Sequence, residues 1–158
     1  MYANIGKLIT SSLELNDILD GIMEEVQSFF KADNWSLLRL DPATSELFFV
    51  IAEGIDKSAV EHVRLSLGEG IAGIVAKSGK SVFVPDTSKD PRFTDKIDRV
   101  SGFRTKSIIA VPMVFQNTVY GVIEIVNRSR GNPFSDDEHL ILQTIADFAA
   151  IAFANRSV

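Results

Sequence analysis

The sequence contains no cysteine, which excludes disulfides, thiol nucleophiles, thiolate metal sites and thioether-linked chromophores together. Its two histidines, His62 and His139, lie far apart and neither has a partner at metal-ligand spacing. Both are read as solvated surface residues, and no metal site is expected. No serine sits in a nucleophile elbow and no pair of carboxylates lies at helical spacing near a histidine, so no catalytic residue is assigned and no enzymatic activity is expected. Positive charge is scarce as well. With 16 Lys and Arg against 21 Asp and Glu, the formal net charge of −5 is the wrong balance for nucleic acid or an anionic membrane as the main partner. The longest apolar run, Phe148 to Ala154, is far too short to cross a bilayer. Asn4 and Lys7 leave no apolar signal-peptide core behind the first residue. One cytoplasmic domain over residues 1–158 is expected, with 46% hydrophobic residues to build a sizeable core.

What the chain does have is a dense β-hairpin signal from Ser107 to Asn127. β-Branched and aromatic residues dominate both runs, and Gln116-Asn117 supplies the polar break between them. The second run is apolar on both faces. Val119, Ile123 and Ile125 point one way and Tyr120, Val122 and Val126 the other, as befits a strand in mid-sheet with both sides covered. Into the second face the alternation places Glu124. A carboxylate there is costly to bury in ionised form unless something pairs with it.

The rest follows in order. Ile5, Leu8 and Ile9 predict a helical turn or two, and a longer helix starts at the N-cap Asn16 and runs to about Lys31 with a wide apolar stripe. Trp35 to Leu40 and Leu47 to Ala52 form a hairpin around Asp41-Pro42-Ala43-Thr44, and Val63, Leu65 and Leu67 alternate as a third strand. Gly68-Glu69-Gly70-Ile71-Ala72-Gly73 imitates a dinucleotide fingerprint, but Gly79 stops its helix early and the flanking strands look hairpin-connected, unlike a parallel crossover. Gly79-Lys80-Ser81 misses P-loop spacing. What remains is a short helix whose first N–H groups are open to an anion. Val82-Phe83-Val84 is a brief strand, and Asp90-Pro91 predicts a second short helix over Arg92 to Ile97, followed by an irregular Asp98 to Thr105. Pro112 should face a short neighbour or a bulge. Ser135 and Glu138 form a capping box at the start of a last helix that is apolar nearly all round from Phe148 to Phe153.

This order of elements resembles a GAF domain over nearly the whole chain. The resemblance is carried by Gly68 to Gly73, Val84-Pro85-Asp86, Gly102 to Ser107, Val111-Pro112, and Asn127-Arg128 with Phe134 and Asp137-Glu138. It implies an α+β fold, a six-stranded antiparallel sheet with the terminal helices on one face and short helices over a small-molecule pocket on the other. It also implies a regulatory module of a larger signalling protein, often dimeric, with an attached output domain and no cofactor. The one catalytic subtype reduces methionine sulfoxide with cysteines, which this chain lacks.

Within the family, the cyclic-nucleotide-binding members of phosphodiesterases and adenylyl cyclases are the most similar in motif. In them an Asn-Lys, Phe, Asp-Glu signature ties the pocket shut, and here it falls on Asn127, Arg128, Phe134 and Asp137, with Arg128 placed to bond Asp137. Two residues separate Phe134 from Asp137 where those members have three. The same resemblance implies Glu124 as base contact, Asp98, Ser101 and Thr105 as polar contacts, Ile71 and Ala72 as phosphate-facing amides, and Ser36 as a first-strand contact. Thr94 stands in place of a tyrosine near the phosphate and Ala52 in place of a stacking aromatic. Two functions are therefore expected, a sensor of a purine nucleotide or a dimerisation and signal-relay module with an empty or different pocket. A homodimer through the terminal helices is expected in either case, with Ile5, Leu8 and Ile9 beside Phe148 to Phe153.

Overall fold

Gln116 and Asn117 both adopt positive φ, 50° and 64°. This left-handed pair closes a two-residue turn whose twist matches its strands, here β5 (Ile108–Phe115) and β6 (Thr118–Arg128). The structure, a computed structural model, describes residues 12–128 and 135–156. The residues Ile5, Leu8 and Ile9 and the tie residue Phe134 lie outside that range. Ahead of the hairpin come α1 (Ser12–Phe30), β1 (Ala32–Asp41), β2 (Glu46–Glu53), α2 (Lys57–Val60), β3 (Leu65–Ser66), α3 (Gly70–Ser78), β4 (Val82–Val84) and α4 (Lys96–Ser101); α5 (Asp136–Arg156) follows it. The strands form one six-stranded sheet in the order β3-β2-β1-β6-β5-β4, with every pairing antiparallel. β6 sits in mid-sheet, as its two apolar faces predict.

Each face carries its own core. On one, Leu19, Met23 and Val26 of α1 and Leu142, Ala146 and Phe153 of α5 pack on Leu37, Ile123 and Ile125. On the other, Ile71, Ala72 and Val75 of α3 pack on Leu38, Val122 and Val126. Full burial of each large side chain contributes roughly 1.5–3 kcal/mol, so both layers hold the sheet. Among the described residues no helix is long and apolar enough to cross a membrane.

Several expectations are corrected. Tyr120 does not share the face of Glu124 but packs against the terminal-helix core. Met113 pairs with Gly121 while Val114 pairs with Val119, so Tyr120 is the extra residue of a β-bulge and the alternation breaks there. The first helix begins at Ser12 rather than Asn16 and closes at Phe30. The third strand shrinks to Leu65–Ser66, and a one-turn helix precedes it because the Asp56 carboxylate accepts the N–H of Ser58 at 3.1 Å. The second short helix lies not at Arg92 to Ile97 but at Lys96–Ser101. Asp90 instead accepts Arg92 N–H at 2.9 Å and grips its guanidinium at 3.0 and 2.7 Å, which spends the cap on a turn.

β4 pairs with β5 only from Ile108 to Ala110 and so ends short of Pro112. The Pro112 carbonyl accepts a hydrogen bond from Gln143 Nε2 at 2.9 Å. Gln143 Oε1 in turn accepts from Ser81 Oγ at 3.2 Å, and His139 Nε2 lies 2.9 Å from the same hydroxyl. His139 is thus a half-buried link between α5 and the sheet edge rather than a solvated surface residue. The capping box forms as expected, with Glu138 N–H donating to Ser135 Oγ at 3.1 Å and Ser135 N–H to Glu138 Oε1 at 3.2 Å.

Candidate functional site

Strand pairing fixes the centre of the site. Glu124 stands directly between Ser36 on β1 and Ala110 on β5, so its side chain leaves the sheet on the α3 and α4 side. There it enters a cavity of about 50 Å³ whose wall also holds Asn34, Ser36, Thr94, Asp98 and Thr105. Burial, and then the negative charge of Asp98, push the Glu124 carboxyl up from 4.5 to about 7. No described residue donates a hydrogen bond to it. The Asp98 carboxylate, by contrast, accepts Thr105 N–H at 2.8 Å and Thr105 Oγ1 at 2.6 Å. Ser36, almost fully buried, donates to Asn34 Oδ1 at 3.3 Å.

The opposite wall is the start of α3. Its first intrahelical bond runs from Gly73 N–H to Glu69 O at 3.1 Å, so the N–H groups of Ile71 and Ala72 have no acceptor within the helix. Glu69 does not cap them; its carboxylate takes Ser66 N–H at 2.9 Å and Lys96 Nζ at 3.4 Å. Lys96 also donates to the Arg64 carbonyl at 2.7 Å, which pins α4 across the mouth of the site. Gly70 has φ +68°, and a Cβ on it would come within 2.6 Å of Thr94 Cγ2. Only glycine therefore lets Thr94 settle against the helix start.

Asn127 shapes the remaining wall. In the left-handed region at φ 55°, it accepts Lys106 N–H at 2.6 Å and Ser107 N–H at 3.2 Å through Oδ1, and donates from Nδ2 to the Arg104 carbonyl at 2.8 Å. One side chain thus clasps the loop that carries Thr105. Arg128 pairs with Glu138 and not with Asp137, which is exposed. Glu138 occupies the third position of α5 and turns back toward Ser135, within reach of Arg128; Asp137 lies one residue earlier, about 100° around the helix.

The sequence profile of the GAF domain matches residues 14–153. This chain belongs to the GAF domain family. It is 30% identical over 166 aligned residues to a dual 3',5'-cyclic-AMP and -GMP phosphodiesterase 11A from Takifugu rubripes, covering 98% of this chain and 18% of that protein. It is 29% identical over 163 aligned residues to the dual phosphodiesterase 11 of Drosophila melanogaster, covering 94% of this chain and 11% of that protein. The chain therefore spans less than a fifth of either relative. Among solved structures, the GAF domain of an Acinetobacter phosphoenolpyruvate-protein phosphotransferase superposes with a TM-score of 0.77 at 27% identity, covering 96% of this chain and 89% of that one.

A GAF domain is a small-molecule-sensing regulatory module, and the site residues of this one fall into distinct groups. Ser36, Ile71, Ala72, Thr94, Asp98, Thr105 and Glu124 all border one cavity. Ser101 does not, since its hydroxyl donates to the Ile97 carbonyl at 2.7 Å and accepts Phe103 N–H at 3.2 Å inside α4 and its exit. Ala52 lies off the cavity too, but Phe49 and Phe93 line it and supply the aromatic surface that Ala52 lacks. Asn34 is a further wall residue, legible from its place two residues before Ser36 on the same strand face. Phe93 lies ahead of α4 rather than inside a helix, and nothing in its local pattern marks it as a wall residue.

Proposed function

We propose that this GAF domain is a regulatory sensor that binds a purine nucleotide, cyclic in the first instance, with Glu124 as the group that holds the base. The observation that carries this reading is the half-buried Glu124 carboxyl, which faces the cavity and receives no hydrogen bond from the described residues. Its acceptor sites are open to a ligand, and the ring N–H and exocyclic amine of a purine are donors of the right kind. The amides of Ile71 and Ala72 suit the anionic end of the same ligand, and Phe49 and Phe93 suit the ring face. That the similar phosphodiesterases are named for cyclic AMP and cyclic GMP agrees with this choice.

Size adds a requirement. About 50 Å³ holds water, whereas small-molecule sites run to roughly 300–1,000 Å³. A nucleotide enters only if α4 and the loop to Thr105 swing outward, which breaks the Lys96 tether to Arg64 and Glu69. Binding is thus coupled to movement of the cover, and this is the signal handed to an output domain in the whole protein. The module itself carries no catalytic residue in this reading.

Cyclic GMP or cyclic AMP at a hundred times its Kd should stabilise the domain by about 2.7 kcal/mol, read as a rise in Tm. Glu124→Ala should abolish the rise while the protein stays folded. No rise with any purine nucleotide at millimolar concentration would reject the reading.

We propose a homodimer through the exposed apolar face of α5 as well. Phe153, Ala149, Ala150 and Ala152 are buried within the subunit, but Leu140 and Phe148 are 67% and 63% exposed, with Ile141 and Ile151 open beside them. Ile141, Thr144, Phe148 and Ile151 alternate at spacings of three and four, the pattern of a coiled-coil seam. The outer face of α1 carries Asp17, Asp20, Glu24 and Glu25 and the helix has no Lys or Arg, so two copies of α1 repel and α5 takes the centre. Sedimentation should find a dimer that Phe148→Glu converts to monomer; a monomeric natural chain at high micromolar concentration would exclude it.

A further inference from the structure

We propose that the charge state of Glu124 decides which purine this GAF domain accepts, guanine when it is a carboxylate and adenine when it is a neutral acid. The inference rests on the purine reading above and adds the selection rule. A carboxylate is two acceptors side by side, which matches the guanine edge, where N1–H and the 2-amino group both donate. A carboxylic acid is one donor and one acceptor, which matches the adenine edge, where N1 accepts and the 6-amino group donates. Each pairing leaves a lone pair against a lone pair, or a donor against a donor, with the wrong base.

The geometry makes the protonation state a free choice. Glu124 projects from mid-sheet between Ser36 and Ala110, with no described residue bonded to its carboxyl to fix either form. The only other titratable residue on the described cavity wall is Asp98 of α4, which opposes a second negative charge. β1 contributes the neutral Asn34 and Ser36, α3 the Ile71 and Ala72 backbone, and the loop before β5 the neutral Thr105. Lys96, the nearby cation of α4, is held by the Arg64 carbonyl and Glu69. In the closed, unliganded site, burial and Asp98 bring the two forms of Glu124 into balance at about pH 7, so both forms are available to an incoming purine at physiological pH.

Calorimetric titration with cyclic GMP and cyclic AMP at about pH 5.5 and about pH 8.5 tests this, because neither base changes its own protonation across that span. For the natural chain, the preference for cyclic GMP over cyclic AMP should grow at least about tenfold from the acid to the alkaline condition, the scale of one mismatched bidentate pair. Glu124→Gln offers one donor and one acceptor at every pH, and should hold the preference constant at its acid value. At the alkaline condition cyclic IMP, which lacks the 2-amino group, should bind the natural chain about tenfold more weakly than cyclic GMP. If both nucleotides bind with a preference that does not move with pH, or one alone binds throughout, the selection rule is wrong and the purine site stands. If neither binds under any condition, the purine reading fails and takes the rule with it.

Discussion

Glu124→Gln should leave the unliganded domain about as stable as the natural chain at about pH 4, below the ordinary carboxyl value, and more stable than it at about pH 8. The carboxyl is pushed from 4.5 to about 7, first by burial and then by Asp98. Between those values the folded chain keeps a proton that the unfolded chain has released, so stability falls as pH rises through the window and then levels off. The span corresponds to about 3 kcal/mol. Glutamine has no proton to lose, and the difference between the two proteins should open over the same window in urea denaturation curves. A difference that does not change with pH would show that Glu124 is paired in solution. Acid acts oppositely. Asp41, Glu69, Asp86 and Asp90 are held low chiefly by the Ala43 N–H, the Ser66 N–H, the Ser88 hydroxyl and the Arg92 guanidinium, with Asp90 at about 2. Their contribution is present at neutral pH and is lost as pH falls through those lowered values.

The second large effect separates two glycines. Gly121→Ala should destabilise the domain by about 3 kcal/mol, and Gly121→Val by more, whereas Gly21→Ala should stabilise it by about 0.5–1 kcal/mol. A Cβ on Gly121 would lie 2.1 Å from the Leu38 carbonyl oxygen and 2.7 Å from Met113 Cε. The methionine can turn away, but the carbonyl is backbone of β1, so the central β1 and β6 pair must part. A Cβ on Gly21 would meet nothing within 4 Å outside its own helix among the described residues, and Gly21 sits inside α1 on the exposed face, where alanine only lowers the entropy lost on folding. Since a whole domain is stable by about 5–15 kcal/mol, the Gly121 changes remove a large share. Urea midpoints of the variants decide the matter: equal signs for Gly21→Ala and Gly121→Ala, or no loss at Gly121, would contradict this account of the β1 and β6 approach. Parting these strands also moves Ser36 away from Glu124, so ligand binding should weaken along with stability.

Much of this was legible in the sequence, because it depends on neighbours along the chain. The period-two alternation of Val122 to Val126 was enough to send Glu124 to a covered face, and the Ser135 and Glu138 spacing was enough to cap α5. The turn at Gln116-Asn117, the start of α3 at the glycine-rich run and the short β4 beside Pro112 are likewise local events. Tertiary structure decided the rest. Tyr120 changed faces because β5 offers one residue fewer than β6 at that point, a property of the pair and not of either strand. Asp90 gave up its helix to grip Arg92, and Arg128 chose Glu138 over Asp137 because of how α5 is rotated against the end of β6. Alternation alone could say that Glu124 lies on a covered face. Whether donors reach its carboxyl, how near Asp98 lies and how little space remains depend on chain segments far apart in sequence, since hydrogen bonding and Coulomb interaction act through distances that only the packed fold sets.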